Sequence, residues 1–208
     1  MSRKHGFTLV ELMVVIAVVG MLMAMLLPAL MKSRGMADMT RCASNLRQLG
    51  IAFDTYVSNQ PDTGFPPATV NSARYGQKEW MDLIRPQMDL GTLDDGIQLL
   101  DVYQTSEWRK YKIFDCPGND QNQSGSGRFD YGYNLNCVGR TRSTVRASNL
   151  VLLHCANHYA PSPVNGRTAN PGIHEKGFDN FLFADGHVQS NNSYYKKAAD
   201  VEPWTADY

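Results

Sequence analysis

Residues 7–31, FTLVELMVVIAVVGMLMAMLLPALM, hold 21 apolar side chains in 25 positions, and Glu11 is their one charge. As a helix this run is about 37 Å long at roughly 1.5 Å per residue, enough to cross a hydrocarbon layer about 30 Å thick. It is too long and too uniformly apolar for an amphipathic core helix. It also exceeds the roughly 7–15-residue apolar region of a secretory signal, and no small-residue cleavage site follows it. A membrane-spanning helix is the expectation. Arg3 and Lys4 precede the span, but Lys32, Arg34, Arg41 and Arg47 follow it, so the cations alone do not set its orientation. A carboxylate at membrane depth costs several kcal/mol unless it is paired or reaches the headgroups, which makes Glu11 a functional candidate.

After the span the pattern changes. Leu46, Leu49, Phe53 and Tyr56 with Val57 recur at spacings of three and four, while Arg41, Asn45, Arg47 and Gln48 lie off that stripe. The spacing predicts an amphipathic continuation of the helix over residues 32–58, ended by Asn59-Gln60-Pro61-Asp62 and Gly64-Phe65-Pro66-Pro67. Residues 59–208 then suit one globular domain by size. Short helices are expected over 80–88 and 92–103, and strands over 129–135 and 150–156. Residues 181–184 and 187–190 read as a hairpin turning at Asp185-Gly186, a dipeptide suited to a type I′ turn. The strands follow one another without crossover helices, so the sheet is expected to be antiparallel. The fold class is therefore α+β: a long N-terminal helix, first membrane-spanning and then amphipathic, packed on a small antiparallel β-sheet.

Gly6-Phe7-Thr8-Leu9-Val10-Glu11 resembles the G-F-T-L-x-E signature of type IV prepilins and type II secretion pseudopilins, and the basic leader and apolar helix match too. The resemblance implies that residues 1–6 are a leader removed by a prepilin peptidase between Gly6 and Phe7. It implies that Phe7 is then N-methylated and that Glu11 pairs with the Phe7 ammonium of a neighbouring subunit. Pro28, 21 residues after Phe7, stands where such proteins commonly have a proline, and is expected to kink or locally melt the helix. A head-to-tail charge pair of this kind does not close, so it builds a helical filament. The implied partners are the lipid bilayer, identical or related pilin subunits and an inner-membrane assembly platform. The implied location is a single pass through the inner membrane with the globular domain outside the cytoplasm, and a periplasmic or cell-surface filament after assembly.

Residues 42–53, CASNLRQLGIAF, resemble the C-x-N-N-L-K-Q-I-G-L-A segment of a subfamily of prepilin-like proteins with a C-terminal H-x9-D-G motif. Phe114-Asp115-Cys116-Pro117, Tyr131-Gly132-Tyr133-Asn134 and the stretch from His174 to Asp185-Gly186 resemble the same subfamily, although ten residues, not nine, separate His174 from Asp185.

Twenty Lys and Arg balance twenty Asp and Glu, which argues against a nucleic-acid partner, because phosphate binding needs a basic surface. The four cysteines are Cys42, Cys116, Cys137 and Cys155. In an oxidising compartment a disulfide between Cys116 and Cys137 would close a loop of about twenty residues, a stabilisation of about 3 kcal/mol. Cys137 is the expected partner of Cys116, with Cys155 as the alternative, since cysteine positions in sequence do not fix the connectivity. There is no C-x-x-C, and His154, His158, His174, His187, Asp179 and Asp185 show no ligand spacing, so neither a metal nor a cofactor is expected. Asp89, Asp94 and Asp95 do not make a calcium loop, and Gly125-Ser126-Gly127 is not a nucleophile elbow, so no enzyme is expected. The expected function is a structural subunit of a pilus-like or pseudopilus-like filament. The alternative is a membrane-anchored module binding glycan or protein through exposed aromatics, Trp80, Trp108 and Trp204.

Overall fold

The computed structural model describes residues 8–60, 64–67, 69–72, 76–88, 90, 111–118, 129–141, 147–158, 163–164, 174 and 178–191. Helix α1, Leu9–Asn59, runs for 51 residues. Its two halves differ as their sequences do. Large side chains from Leu9 to Met36 stand exposed on every side, Met25 at 79%. From Cys42 onward one stripe is buried: Cys42, Leu46, Leu49, Gly50, Ala52, Phe53 and Tyr56. The bare stretch thus extends about ten residues beyond the apolar run, because the charged segment from Lys32 to Arg41 packs on little. The helix passes through Pro28 without a break. It does not melt there, as the sequence reading allowed; a proline removes one N–H, here the donor to the Ala24 carbonyl, and the turns on either side hold.

The domain begins with a hairpin of β1 (Thr69–Ser72) and β2 (Gly76–Glu79). Helix α2 (Trp80–Ile84) follows and tightens into a 3₁₀ turn over Arg85–Met88. The single helix expected here divides just before Pro86, since a residue preceding proline is disfavoured in the α region. The main sheet holds β3 (Phe129–Asn134), β4 (Val151–His158), β5 (Pro163–Val164), β6 (Asp179–Phe183) and β7 (Val188–Asn191), in the order β5-β3-β4-β6-β7. Strands β3, β4, β6 and β7 are antiparallel, as expected. The exception is β5, two residues paired parallel to β3 at the edge, where a proline without an N–H is tolerated.

The turn from β6 to β7 has three residues, not the two of a type I′ turn. The Gly186 N–H donates to the Phe183 carbonyl at 2.9 Å, and Gly186 takes φ 92°. Leu182 faces Val188, which leaves room for the extra residue. Asp-Gly signals both turn classes, since each needs a positive φ at or near the glycine.

Helix α1 lies across β6 and β7 and also touches α2. The Asn180 amide on β6 donates to the Met39 carbonyl at 2.8 Å. The core gathers around Phe53, which stacks on Trp80 and Tyr133, each with ring centroids 5.5 Å away. Phe65 closes this cluster from the segment after α1, its N–H donating to the Arg140 carbonyl at 3.0 Å. That approach needs glycine at the preceding position. Gly64 has φ 64°, and a Cβ there would stand 2.6 Å from the Arg140 carbonyl oxygen. Gly64→Ala is therefore expected to cost about 1–3 kcal/mol, read as a lower urea midpoint with an unchanged slope.

Candidate functional site

Two places in the chain carry groups that the core does not require. The first is the start of α1. Thr8 is the N-cap: its hydroxyl accepts from the Glu11 N–H at 3.3 Å. Glu11 Oε2 accepts from the Thr8 N–H at 2.8 Å and from the Thr8 hydroxyl at 2.7 Å. This is a reciprocal capping box, which satisfies donors that a helix start leaves orphaned. The S/T-x-x-E signal was present in Thr8-Leu9-Val10-Glu11 and was overshadowed by the hydropathy of the run. Both bonds fall on one carboxylate oxygen, and among the described residues nothing donates to Oε1. The anion is thus held at the very N-terminal end of an otherwise apolar surface. Gly6 and Phe7 lie outside the described residues, and Pro28 sits mid-helix within the bare stretch.

The second place is where α1 enters the domain. Cys42 on α1, Cys116 after the turn of residues 111–114, Cys155 on β4 and His174 before β6 converge, all buried. Cys42 Sγ lies 3.1 Å from Cys155 Sγ, and Cys116 Sγ lies 3.7 Å from it. His174 Nε2 is 3.2 Å from Cys116 Sγ and 3.5 Å from Cys155 Sγ. The Tyr131 hydroxyl, at 3.6 Å, donates to Cys42 Sγ. Burial opposes ionisation of Cys42, but hydrogen bonds from Cys116, Cys155 and His174 outweigh it and hold that thiol well below its ordinary range. Burial and then its sulfur neighbours push Cys155 up.

The expected disulfide between Cys116 and Cys137 is not formed, and all four cysteines are free thiols. Cys137 lies in the same core but is not among the four converging donors, its Sγ 3.4 Å from the Val151 carbonyl and its thiol pushed up by burial. Sequence proximity favoured Cys137, but the 3₁₀ turn Leu135–Cys137 that follows β3 seats it away from the other three. Cys116 and Cys155, the alternative pair, do meet, though unbonded.

The other candidates disperse. His154 is buried, its Nδ1 2.8 Å from the Cys155 carbonyl oxygen and its ring stacked on Phe181. Asp185 accepts from the His187 N–H at 3.0 Å and contacts His187 Nδ1 at 2.6 Å, bracing the turn. The His187 ring lies on Phe183 with centroids 4.2 Å apart. Trp80, an exposed binding aromatic only under the alternative reading, is fully buried among Phe53, Phe114 and Tyr133. Trp108 and Trp204, the expected helix over 92–103 and the aspartates Asp89, Asp94 and Asp95 lie outside the described residues.

Comparison with known proteins bears on the first place. Residues 1–27 match the family model described as the prokaryotic N-terminal methylation motif. Over 56 residues the chain is 43% identical to the type II secretion system core protein G of Klebsiella pneumoniae, covering 27% of this chain and 40% of that protein. The protein of the same name from Escherichia coli is 39% identical over 55 residues, covering 26% of this chain and 38% of its own. The type IV major pilin protein PilA of Myxococcus xanthus is 32% identical over 83 residues, covering 36% of this chain and 37% of its own. The chain therefore spans well under half the length of each of these relatives. No solved structure matches it. Its N-terminal segment carries a methylation motif and is homologous to those of a type II secretion pseudopilin and a type IV pilin.

Proposed function

We propose that the chain is a structural subunit of a type IV pilus-like or type II secretion pseudopilus-like filament. It enters the inner membrane as a prepilin, is cut by a prepilin peptidase after Gly6, is N-methylated on Phe7 and polymerises through α1. The observation that carries this reading is the methylation motif of residues 1–27 heading a helix that is apolar on every side. Such a surface satisfies itself in lipid before assembly and against copies of itself afterwards, without change of shape. The globular domain covers only the far part of α1, so it is placed to coat a core of bundled helices. The work is mechanical and involves no catalytic step. The inner-membrane assembly platform and neighbouring pilin subunits are the partners this reading requires.

Processing is the test. In a host with a prepilin peptidase, the mature chain is expected to begin at N-methyl-Phe7 and to hold 202 of the 208 residues. Loss of Arg3 and Lys4 leaves 18 basic against 20 acidic side chains, a formal side-chain charge of −2. Replacing Gly6 with a bulky residue is expected to block cleavage, because the peptidase must approach that backbone closely. Mass spectrometry of the N-terminus, with electron microscopy of sheared fractions, reads both steps. An intact Met1, or a chain that stays a membrane-bound monomer, would sink the reading.

A further inference from the structure

We infer that Cys42, Cys116, Cys155 and His174 form a structural zinc site that fastens the globular domain to helix α1. Their four donor atoms all lie within 4.8 Å of one another. A tetrahedral zinc with Zn–S about 2.3 Å and Zn–N about 2.0–2.1 Å sets its sulfurs about 3.8 Å apart and each sulfur about 3.5 Å from the nitrogen. The edge between Cys116 and Cys155 is 3.7 Å and that between Cys155 and His174 is 3.5 Å. The edges at 3.1 and 3.2 Å open by a few tenths of an ångström, at most about 0.7 Å, to admit the ion. Three cysteines and one histidine are a donor set of closed structural sites, and thiolates select soft ions over magnesium or calcium. No fourth position is left open, so the site holds the fold and performs no chemistry.

The surroundings suit sulfurs that accept. The Tyr131 hydroxyl points between Cys42 Sγ at 3.6 Å and the Asp115 carbonyl oxygen at 3.4 Å. His174 presents Nε2 to the sulfurs, and its buried Nδ1 has no hydrogen-bond partner. Gly118 makes room for the ring: a Cβ there would stand 2.3 Å from Nδ1. A disulfide between two of the sulfurs requires neither the histidine nor that cradle. On binding, each thiol that is still protonated releases its proton to solvent.

The position gives the site its use. Cys42 is the first fully buried residue of α1, at the mouth of the domain. Cys155 lies 113 residues away from it, and His174 a further 19. One ion would therefore tie the helix to three separate segments where the bare half meets the packed half. In a filament, that is the joint through which load on the domain reaches the core. The inference does not depend on the filament reading, since it rests on a different set of residues.

Full-length chain, purified in detergent under reducing conditions and reconstituted with zinc, is expected to retain one zinc per chain after desalting. Cobalt in its place is expected to give thiolate-to-metal charge-transfer and tetrahedral d–d bands. Cys42→Ser, Cys116→Ser and Cys155→Ser are each expected to lose most of the metal, while Cys137→Ser keeps it in full. His174→Cys keeps a donor set that zinc accepts, so it is expected to retain metal with a shifted cobalt spectrum, which a merely packed histidine would not predict. Folded wild-type chain that keeps under about a tenth of an equivalent of zinc overturns the inference. So does peptide mapping that finds Cys155 disulfide-bonded to Cys42 or Cys116 in chain isolated without reductant, or metal retained equally by all three serine variants.

Discussion

Glu11→Gln is expected to give a chain that enters the membrane, is cleaved and accumulates, yet forms no filaments. The variant separates two roles that fall on one side chain. Within a single chain Glu11 closes the capping box with Thr8, at 2.8 and 2.7 Å. Glutamine serves that box as well as glutamate does, so the helix start survives. What glutamine lacks is charge. After cleavage the Phe7 ammonium would be buried in a dry core with no anion nearby, since Glu11 is the only charge in residues 7–31. An uncompensated buried charge costs roughly 3–5 kcal/mol, repeated at every subunit. Glu11→Ala also loses the carboxylate half of the capping box, while the Thr8 hydroxyl still accepts from the backbone N–H of residue 11, and it is expected to fail equally. Insertion is expected to be unharmed or slightly improved in both, because an expensive anion leaves the apolar run. Glu11→Asp, with a shorter arm, is expected to be partly defective. Counting filaments in sheared fractions against processed protein in membranes reads the result. Filaments at wild-type level in Glu11→Gln would show that the cap suffices and that helix packing alone drives assembly.

What the sequence revealed and what it hid follow from how locally each feature is encoded. The two halves of α1 were legible because hydropathy and a three-four stripe are local patterns. Strands β3 and β4 and the hairpin of β6 and β7 were legible from apolar or aromatic runs and Asp185-Gly186. The hairpin of β1 and β2 was not, because Thr69–Ser72 and Gly76–Glu79 carry no alternating apolar face and are joined by backbone pairing. The cap at Thr8 was legible and missed. The cluster of Cys42, Cys116, Cys155 and His174 was not legible as a site, although Cys42, Cys116 and His174 each fall in stretches that resemble one subfamily of prepilin-like proteins. Its members come from a helix, a turn, a strand and the approach to another strand, and no spacing within any one segment marks a ligand. A C-x-x-C pair and a short disulfide loop both join partners close in sequence, and both point away from Cys42.

Trp80 carries the largest expected effect on the domain itself, and the sequence misplaced it. It stood among the aromatics of a possible binding surface, but the structure buries it completely. Its helix, Trp80–Ile84, has five residues, far too few to persist alone. Only what Trp80, Met81 and Ile84 bury holds that turn in place. The indole stacks on Phe53 at 5.5 Å, tilts against Tyr133 at 5.7 Å and meets Phe114 edge-on at 6.1 Å. It thereby joins α1, β3 and the turn of residues 111–114 in one cluster. Truncation to alanine removes the ring and leaves a cavity that these rigid neighbours fill poorly. A loss of about 3–5 kcal/mol is expected, a large part of the roughly 5–15 kcal/mol that holds a domain folded. For a domain of this size it corresponds to a fall in Tm of roughly 6–20 °C. Trp80→Phe keeps an aromatic ring in the stack and is expected to lose well under half as much. Membrane insertion is expected to be unchanged in both, because residues 9–31 stand exposed and do not pack on the domain core. Thermal unfolding followed by near-ultraviolet circular dichroism decides the matter. A Trp80→Ala chain with wild-type Tm and a lost ligand would place the tryptophan on a working surface after all.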